Sequence, residues 1–119
     1  MACRMTEPVL DCTDPEAGAR FWCAVLDHEV LGREGGAVEI GRPGEHPTIV
    51  LDRGAEPKRQ KLRLRLDVNA TDRDQDAEPE RLEALGARRK DIGQGEVARY
   101  VLEDPEGNEF CLLSRRVEP

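Results

Sequence analysis

The chain has 119 residues, of which 36% are charged and 38% hydrophobic, with a formal net charge of −7, so any core is lean and the charge lies on one side of each element. No run approaches the roughly 20 consecutive apolar residues of a membrane helix, and MACRMTEPVL lacks the apolar centre of a secretory leader, so neither a membrane protein nor an exported one is expected. The acidic balance (18 Lys and Arg against 25 Asp and Glu) disfavours a general nucleic-acid binder, which needs cations to replace phosphate counterions.

Val9-Leu10-Asp11-Cys12 is a short apolar run that reads as a strand. Asp14-Pro15-Glu16 then carries a capping side chain, a proline shaped for the first helical position and an acid at the positive end of the dipole. Ala17, Phe21 and Val25 recur at helical spacing, which predicts an amphipathic helix of about three turns. Glu29-Val30-Leu31, Gly35-Gly36 and Ala37 to Ile40 predict a hairpin. A Pro/Gly loop from Arg42 to Pro47 leads to a β-branched strand, Thr48 to Leu51, and Arg53 to Gln60 is a polar connector.

From Lys61 to Val68, Leu62, Leu64, Leu66 and Val68 alternate with polar residues, the period of a strand with one wet face. A short helix is expected around Arg81–Leu85, capped by Asp74 or Asp76, with Pro79 in its first turn and Gly86 closing it. Strands are expected over Arg88–Ile92 and Val97–Leu102. Asp104-Pro105-Glu106-Gly107-Asn108 is a turn, and Glu109–Ser114 is a last strand. The order β-α-β-β-β therefore occurs twice. Leu10-Asp11 and Leu66-Asp67 open the halves 56 residues apart.

The cysteines are Cys3, Cys12, Cys23 and Cys111, and the histidines are His28 and His46. No C-x-x-C pair occurs, so a structural zinc site is not expected. Free thiols in a reducing cytoplasm are the default for such a chain. Phe21 and Trp22 read as core anchors of the first helix. His28, after the helix end, has no evident chemical role.

The segments LDCTDPEAGARFWCAVL, PKRQKLRLRLDV, ERLEALGA and VLEDPEGNEFCLL carry a resemblance. Together they resemble the glyoxalase-like members of the vicinal oxygen chelate (glyoxalase/bleomycin resistance/dioxygenase) superfamily, over about Glu7 to Ser114. The resemblance implies an α+β fold of one glyoxalase-like domain. Its two tandem βαβββ modules, at about 7–52 and 61–114, form a cup-shaped mixed sheet with outer helices. It also implies fixed positions for metal ligands. The first, seven residues before the capping Asp, is Glu7. The second-module position falls on Arg65. The last, seven residues after the turn Asp, is Cys111. The fourth-strand position falls near Val50 or Leu51, which offer no ligand, and the adjacent Asp52 points the other way from Leu51.

A guanidinium has five donors and no acceptor, so Arg65 cannot ligate a metal, and Glu7 with Cys111 falls short of three protein ligands. The expectation is therefore no metal and no cofactor. Arg65 would instead pair with Glu7 or grip an anionic group of a small organic ligand. The alternative for Arg65, and for Arg63, is the wet face of a strand. Cys111 is either a small buried thiol or a nucleophile activated by a nearby cation. Glu109, two residues earlier on the same face, is either an acid/base group or a rim charge. The function expected is small-molecule binding in the cup at Glu7, Arg65, Glu109 and Cys111. The alternative is a metal-dependent lyase, isomerase or dioxygenase. Relatives of this size commonly pair, so a homodimer is expected, with no nucleic-acid or membrane partner.

Overall fold

The computed structural model describes residues 2–54, 64–71, 77–90, 99–113 and 117–118. The chain divides into two compact units, 1–57 and 58–119. Each carries its own four-stranded sheet among the described residues.

In the first unit, β1 (Val9–Cys12) leads into α1 (Pro15–Leu26), followed by β2 (Glu29–Glu34), β3 (Ala37–Gly41) and β4 (Ile49–Arg53). The helix starts where the sequence signals it. The Asp14 carboxylate accepts from the Ala17 amide at 3.2 Å, with proline in the first turn. It ends at Asp27, which takes the left-handed conformation at φ 55°. The two glycines of the β2–β3 hairpin both have positive φ, 59° at Gly35 and 90° at Gly36, as a two-residue turn matched to strand twist requires. The sheet order is β1-β4-β3-β2, with β1 and β4 parallel and the other pairs antiparallel.

One face of this sheet packs on α1. Leu10 and Val38 are the register partners of Leu51, and Ile40 is the partner of Ile49. Leu51, Val38 and Ile40 are buried, as are Phe21 and Trp22 on the helix. The two rings meet edge to face, with centroids 5.0 Å apart. Full burial of an aromatic or branched side chain stabilises by about 1.5–3 kcal/mol. Gly18 sits where α1 lies closest to the sheet; a Cβ there would meet Leu51 Cδ1 at 3.0 Å and Cys12 Sγ at 3.3 Å.

The second unit repeats the plan with β5 (Leu66–Asn69), α2 (Glu78–Ala84), β6 (Arg88–Arg89), β7 (Arg99–Glu103) and β8 (Glu109–Leu113), in sheet order β5-β8-β7-β6. This is an α+β fold of two βαβββ modules. The edge-to-helix ion pair is repeated as well. Arg33 of β2 holds Glu16 of α1 at 3.0 Å, and Arg89, 56 residues later, holds Glu83 of α2 at 2.9 Å. Arg89 also lies 5.6 Å over the Tyr100 ring.

Several boundaries differ from the sequence expectation. The strand expected from Lys61 begins at Leu66; residues 61–63 lie outside the described residues, and Leu64 is 74% exposed. The expected caps of α2, Asp74 and Asp76, also lie outside the described residues. The N-cap is Ala77, with no side-chain hydrogen bond, and Pro79 falls in the first turn as required. β6 ends at Arg89, although the Lys90 amide still donates to the Val101 carbonyl at 2.9 Å. No helix among the described residues is long and apolar enough to cross a membrane.

Candidate functional site

Strand alternation decides which side chains leave the core. In the first unit the face turned away from α1 carries Val50 and Asp52 of β4, Glu39 and Ala37 of β3, and Val9 and Asp11 of β1. A concavity of about 550 Å³ lies on this open face. Its lining includes Glu7, Glu34, Glu39 and Asp52, with Val50, Ala37 and Gly32 between the carboxylates. Arg33 contributes from the rim, but its guanidinium is committed to Glu16 through three hydrogen bonds of 3.0–3.3 Å. The acid Glu16 is held below its usual value of 4.5, chiefly by that hydrogen bond and, against desolvation, also by the charge of Arg33.

Thr48 builds part of this surface. Buried at 5% exposure, it donates from its hydroxyl to Glu39 Oε2 at 2.7 Å. Its amide donates to the Thr6 carbonyl at 3.1 Å, which fixes the segment carrying Glu7 beside β4. One residue thus positions two carboxyl-bearing elements of the concavity.

Glu7, named from the sequence, lies in this concavity. Glu34, Glu39 and Asp52 were missed. The signal was available for two of them. In Ala37–Ile40 and Ile49–Asp52 the core residues alternate with Glu39, Val50 and Asp52. Asp52 does point away from Leu51, but Leu51 faces α1, so it is Asp52 and Val50 that reach the open face.

The other three named residues lie in the second unit. Arg65 precedes β5, and its Nε is 3.5 Å from Asp67 Oδ1. Asp67 is the register partner of Cys111 in β8, and Glu109 shares the face of Cys111. The structure therefore brings Arg65, Asp67, Glu109 and Cys111 to one face of the second sheet, opposite the face that carries Arg89 toward α2. Cys111 is fully buried at 0% exposure. Glu109 is also buried and accepts from Lys90 Nζ at 3.0 Å, an ion pair closed from solvent at the acid end. The ammonium pKa of Lys90 is raised, chiefly by that hydrogen bond. Glu109 is thus no rim charge. Arg63 lies outside the described residues.

A glyoxalase-like domain model matches residues 7–113, which is most of the chain. The chain belongs to the glyoxalase-like domain family. A search of curated proteins found no match to it. Among solved structures, it is similar to the fosfomycin resistance protein FosX of Mesorhizobium loti, with 16% identity and a TM-score of 0.72 over 98% of this chain and 96% of that one. FosX of Listeria monocytogenes, solved with Mn(II) and a sulfate ion, is 18% identical with a TM-score of 0.74, covering 98% of this chain and 94% of that one. A glyoxalase/bleomycin resistance protein/dioxygenase family enzyme of Burkholderia phytofirmans is 15% identical with a TM-score of 0.72, covering 92% and 97%. At these identities the likeness establishes the fold.

A divalent metal of the kind bound by the Listeria protein needs converging oxygen or nitrogen donors. Among the described residues, no three His, Cys, Asp or Glu side chains converge to hold a metal ion. Arg65 offers no acceptor, and His46 is exposed in its loop. The described residues do not form a ligand set for such an ion.

Proposed function

We propose that this glyoxalase-like domain binds a small organic molecule on the open face of its first module, without a resident metal ion. The observation that supports this is the concavity of about 550 Å³, within the size range of small-molecule sites. Its polar lining is rich in acceptors. Glu7, Glu34, Glu39 and Asp52 favour a ligand group that donates, such as an ammonium, a guanidinium or a hydroxyl. Val50, Ala37 and Gly32 give it an apolar floor. This changes the emphasis from the anionic ligand suggested by Arg65. Arg65 of the second module, 3.5 Å from Asp67, is a separate candidate for an anionic group and is no part of this concavity. In this proposal Glu109, paired with Lys90, and Cys111, a packed thiol, are buried in the second module and make no contact with the ligand. A cytoplasmic homodimer with no nucleic-acid partner belongs to the same proposal.

The second reading is a metal-dependent lyase, isomerase or dioxygenase, and it draws its support from the Mn(II) in the Listeria relative. A thermal-shift screen separates the two, because a ligand of the native state raises stability by mass action. The panel holds amines, amino acids, carboxylic acids, phosphates and divalent metals. The expected result is stabilisation by amine-bearing compounds that is weakened by Glu39→Gln and Asp52→Asn. Stabilisation by a divalent metal alone, with stoichiometric metal in the purified protein, overturns the proposal in favour of the second reading. No response to any organic compound overturns it as well.

A further inference from the structure

The junction between α1 and β2 is closed by polar groups that the open-face site does not use. The amides of Asp27 and His28 both donate to the Cys23 carbonyl, that of His28 at 3.0 Å. Arg42, just beyond β3, reaches back to the helix end. Its Nε lies 3.4 Å from the Asp27 carbonyl oxygen, and its Nη2 lies 3.5 Å from that of Leu26. A cation is thereby placed at the negative end of the helix dipole. The same guanidinium is 4.0 Å from Asp27 Oδ2.

Beside it sits His28, whose Nδ1 is buried with no hydrogen-bond partner among the described residues. Buried polar atoms ordinarily have one, so this atom calls for an account. The charged groups facing the ring are Arg42 and Glu45 from the β3–β4 loop and Asp27 from the helix cap. Cys23 of α1 and Glu29 of β2 flank the junction, and burial, followed by the charge of Glu29, pushes the Cys23 thiol pKa up.

We propose that His28 is an acid-sensitive latch of the α1–β2 junction. Neutral, it packs beside Arg42. Protonated, it sets a second cation there, displaces Arg42 from the helix carbonyls and frees the start of β2. Burial, and then the Arg42 charge, hold the imidazole pKa below its usual 6.5, while Asp27 and Glu45 pull it the other way. The unfolded chain therefore binds more protons between that lowered value and 6.5. The contribution of His28 to stability is full above 6.5 and falls as pH drops through the window. β2 is an end strand of its sheet and carries Gly32 and Glu34 of the concavity. Acid would therefore loosen one edge of that surface. This consequence rests on the proposed binding site; the latch itself does not.

The test is NMR of the full chain between pH 4.5 and 8, which needs no ligand. The chain has only two histidines, so the His28 and exposed His46 ring signals are separable. The expected result is a His28 midpoint below 6.5. The amides of Cys23, Asp27–Leu31 and Arg42 should shift and exchange faster with the same midpoint. His28→Phe should abolish that shared transition and leave distant amides unchanged. If His28→Phe does not fold, His28→Gln serves the same comparison. A His28 midpoint at or above 6.5 overturns the latch. So do junction amides that follow a carboxylate midpoint near 4, or that keep their transition in the variant.

Discussion

Thr48→Val is the sharpest probe of how the concavity is held. Valine nearly matches threonine in shape but removes the hydroxyl that donates to Glu39 Oε2 at 2.7 Å. A hydrogen bond to a charged group is worth about 1.5–3 kcal/mol net. Glu39 is only half-buried, so water can reclaim its carboxylate once the hydroxyl is gone, which favours the lower end. The expected loss is therefore about 1–2 kcal/mol, or roughly 4–8 °C in midpoint for a domain near this size. The backbone bond from the Thr48 amide to Thr6 survives the change, so the segment carrying Glu7 should stay in place. Urea denaturation measures the loss, and a cycle with Glu39→Ala isolates the pair. The double variant should lose less than the sum of the singles by about 1 kcal/mol or more. Additivity within error would show that the hydroxyl does not hold Glu39 in solution, and the account of the surface would fail.

Gly18→Ala sets two effects against each other. Alanine gains about 1 kcal/mol of helix propensity, but its Cβ would lie 3.0 Å from Leu51 Cδ1 and 3.3 Å from Cys12 Sγ, both in the core. Overpacking of this kind costs about 1–3 kcal/mol, so net destabilisation is expected in urea melts, and adding Cys12→Ala should relieve part of it. Arg33→Met should remove the acid dependence contributed by Glu16. Because that carboxyl is held below 4.5, its contribution is present above 4.5 and lost as pH falls through the lowered value. A wild type and variant whose stabilities fall in parallel below pH 4.5 would contradict this.

The first module was legible because each signal was local. Asp14-Pro15-Glu16 carries its own cap, and Gly35-Gly36 supplies its own turn. The second module was less so. Alternation through Leu62, Leu64 and Leu66 says which face a residue takes if a strand forms, but not where a partner is present. Pairing with β8 begins at Leu66 opposite Phe110, and Leu64 is left exposed. Likewise α2 starts without a side-chain cap, so no capping residue could mark its beginning. Glu39 and Asp52 were within reach of the sequence once Val38, Ile40 and Leu51 were assigned to the core. The buried edge of His28 was not. Its neighbour Arg42 returns from the far end of β3 to the helix carbonyls, a tertiary contact with no local trace.

The two modules place different chemistry on matched positions. Leu10, Leu51 and Val38 stand in register across the first sheet as Leu66, Phe110 and Leu102 do across the second. Stepping one residue from these anchors pairs Asp52 with Cys111, Val50 with Glu109 and Glu39 with Glu103. On the first sheet the acids at these positions are half-buried around an open concavity. On the second, the thiol is fully buried, and Glu109 is buried and neutralised by Lys90. Burying a carboxylate is costly unless a cation accompanies it, so Glu109 requires Lys90, whereas Glu39 and Asp52 remain affordable through contact with water. On the first module, Glu39 and Asp52 thus carry their charge at half-buried positions of an open concavity. A cation or a hydrogen-bond donor of a ligand gains most there, which is why the predicted losses centre on Glu39 and Asp52 rather than on Cys111.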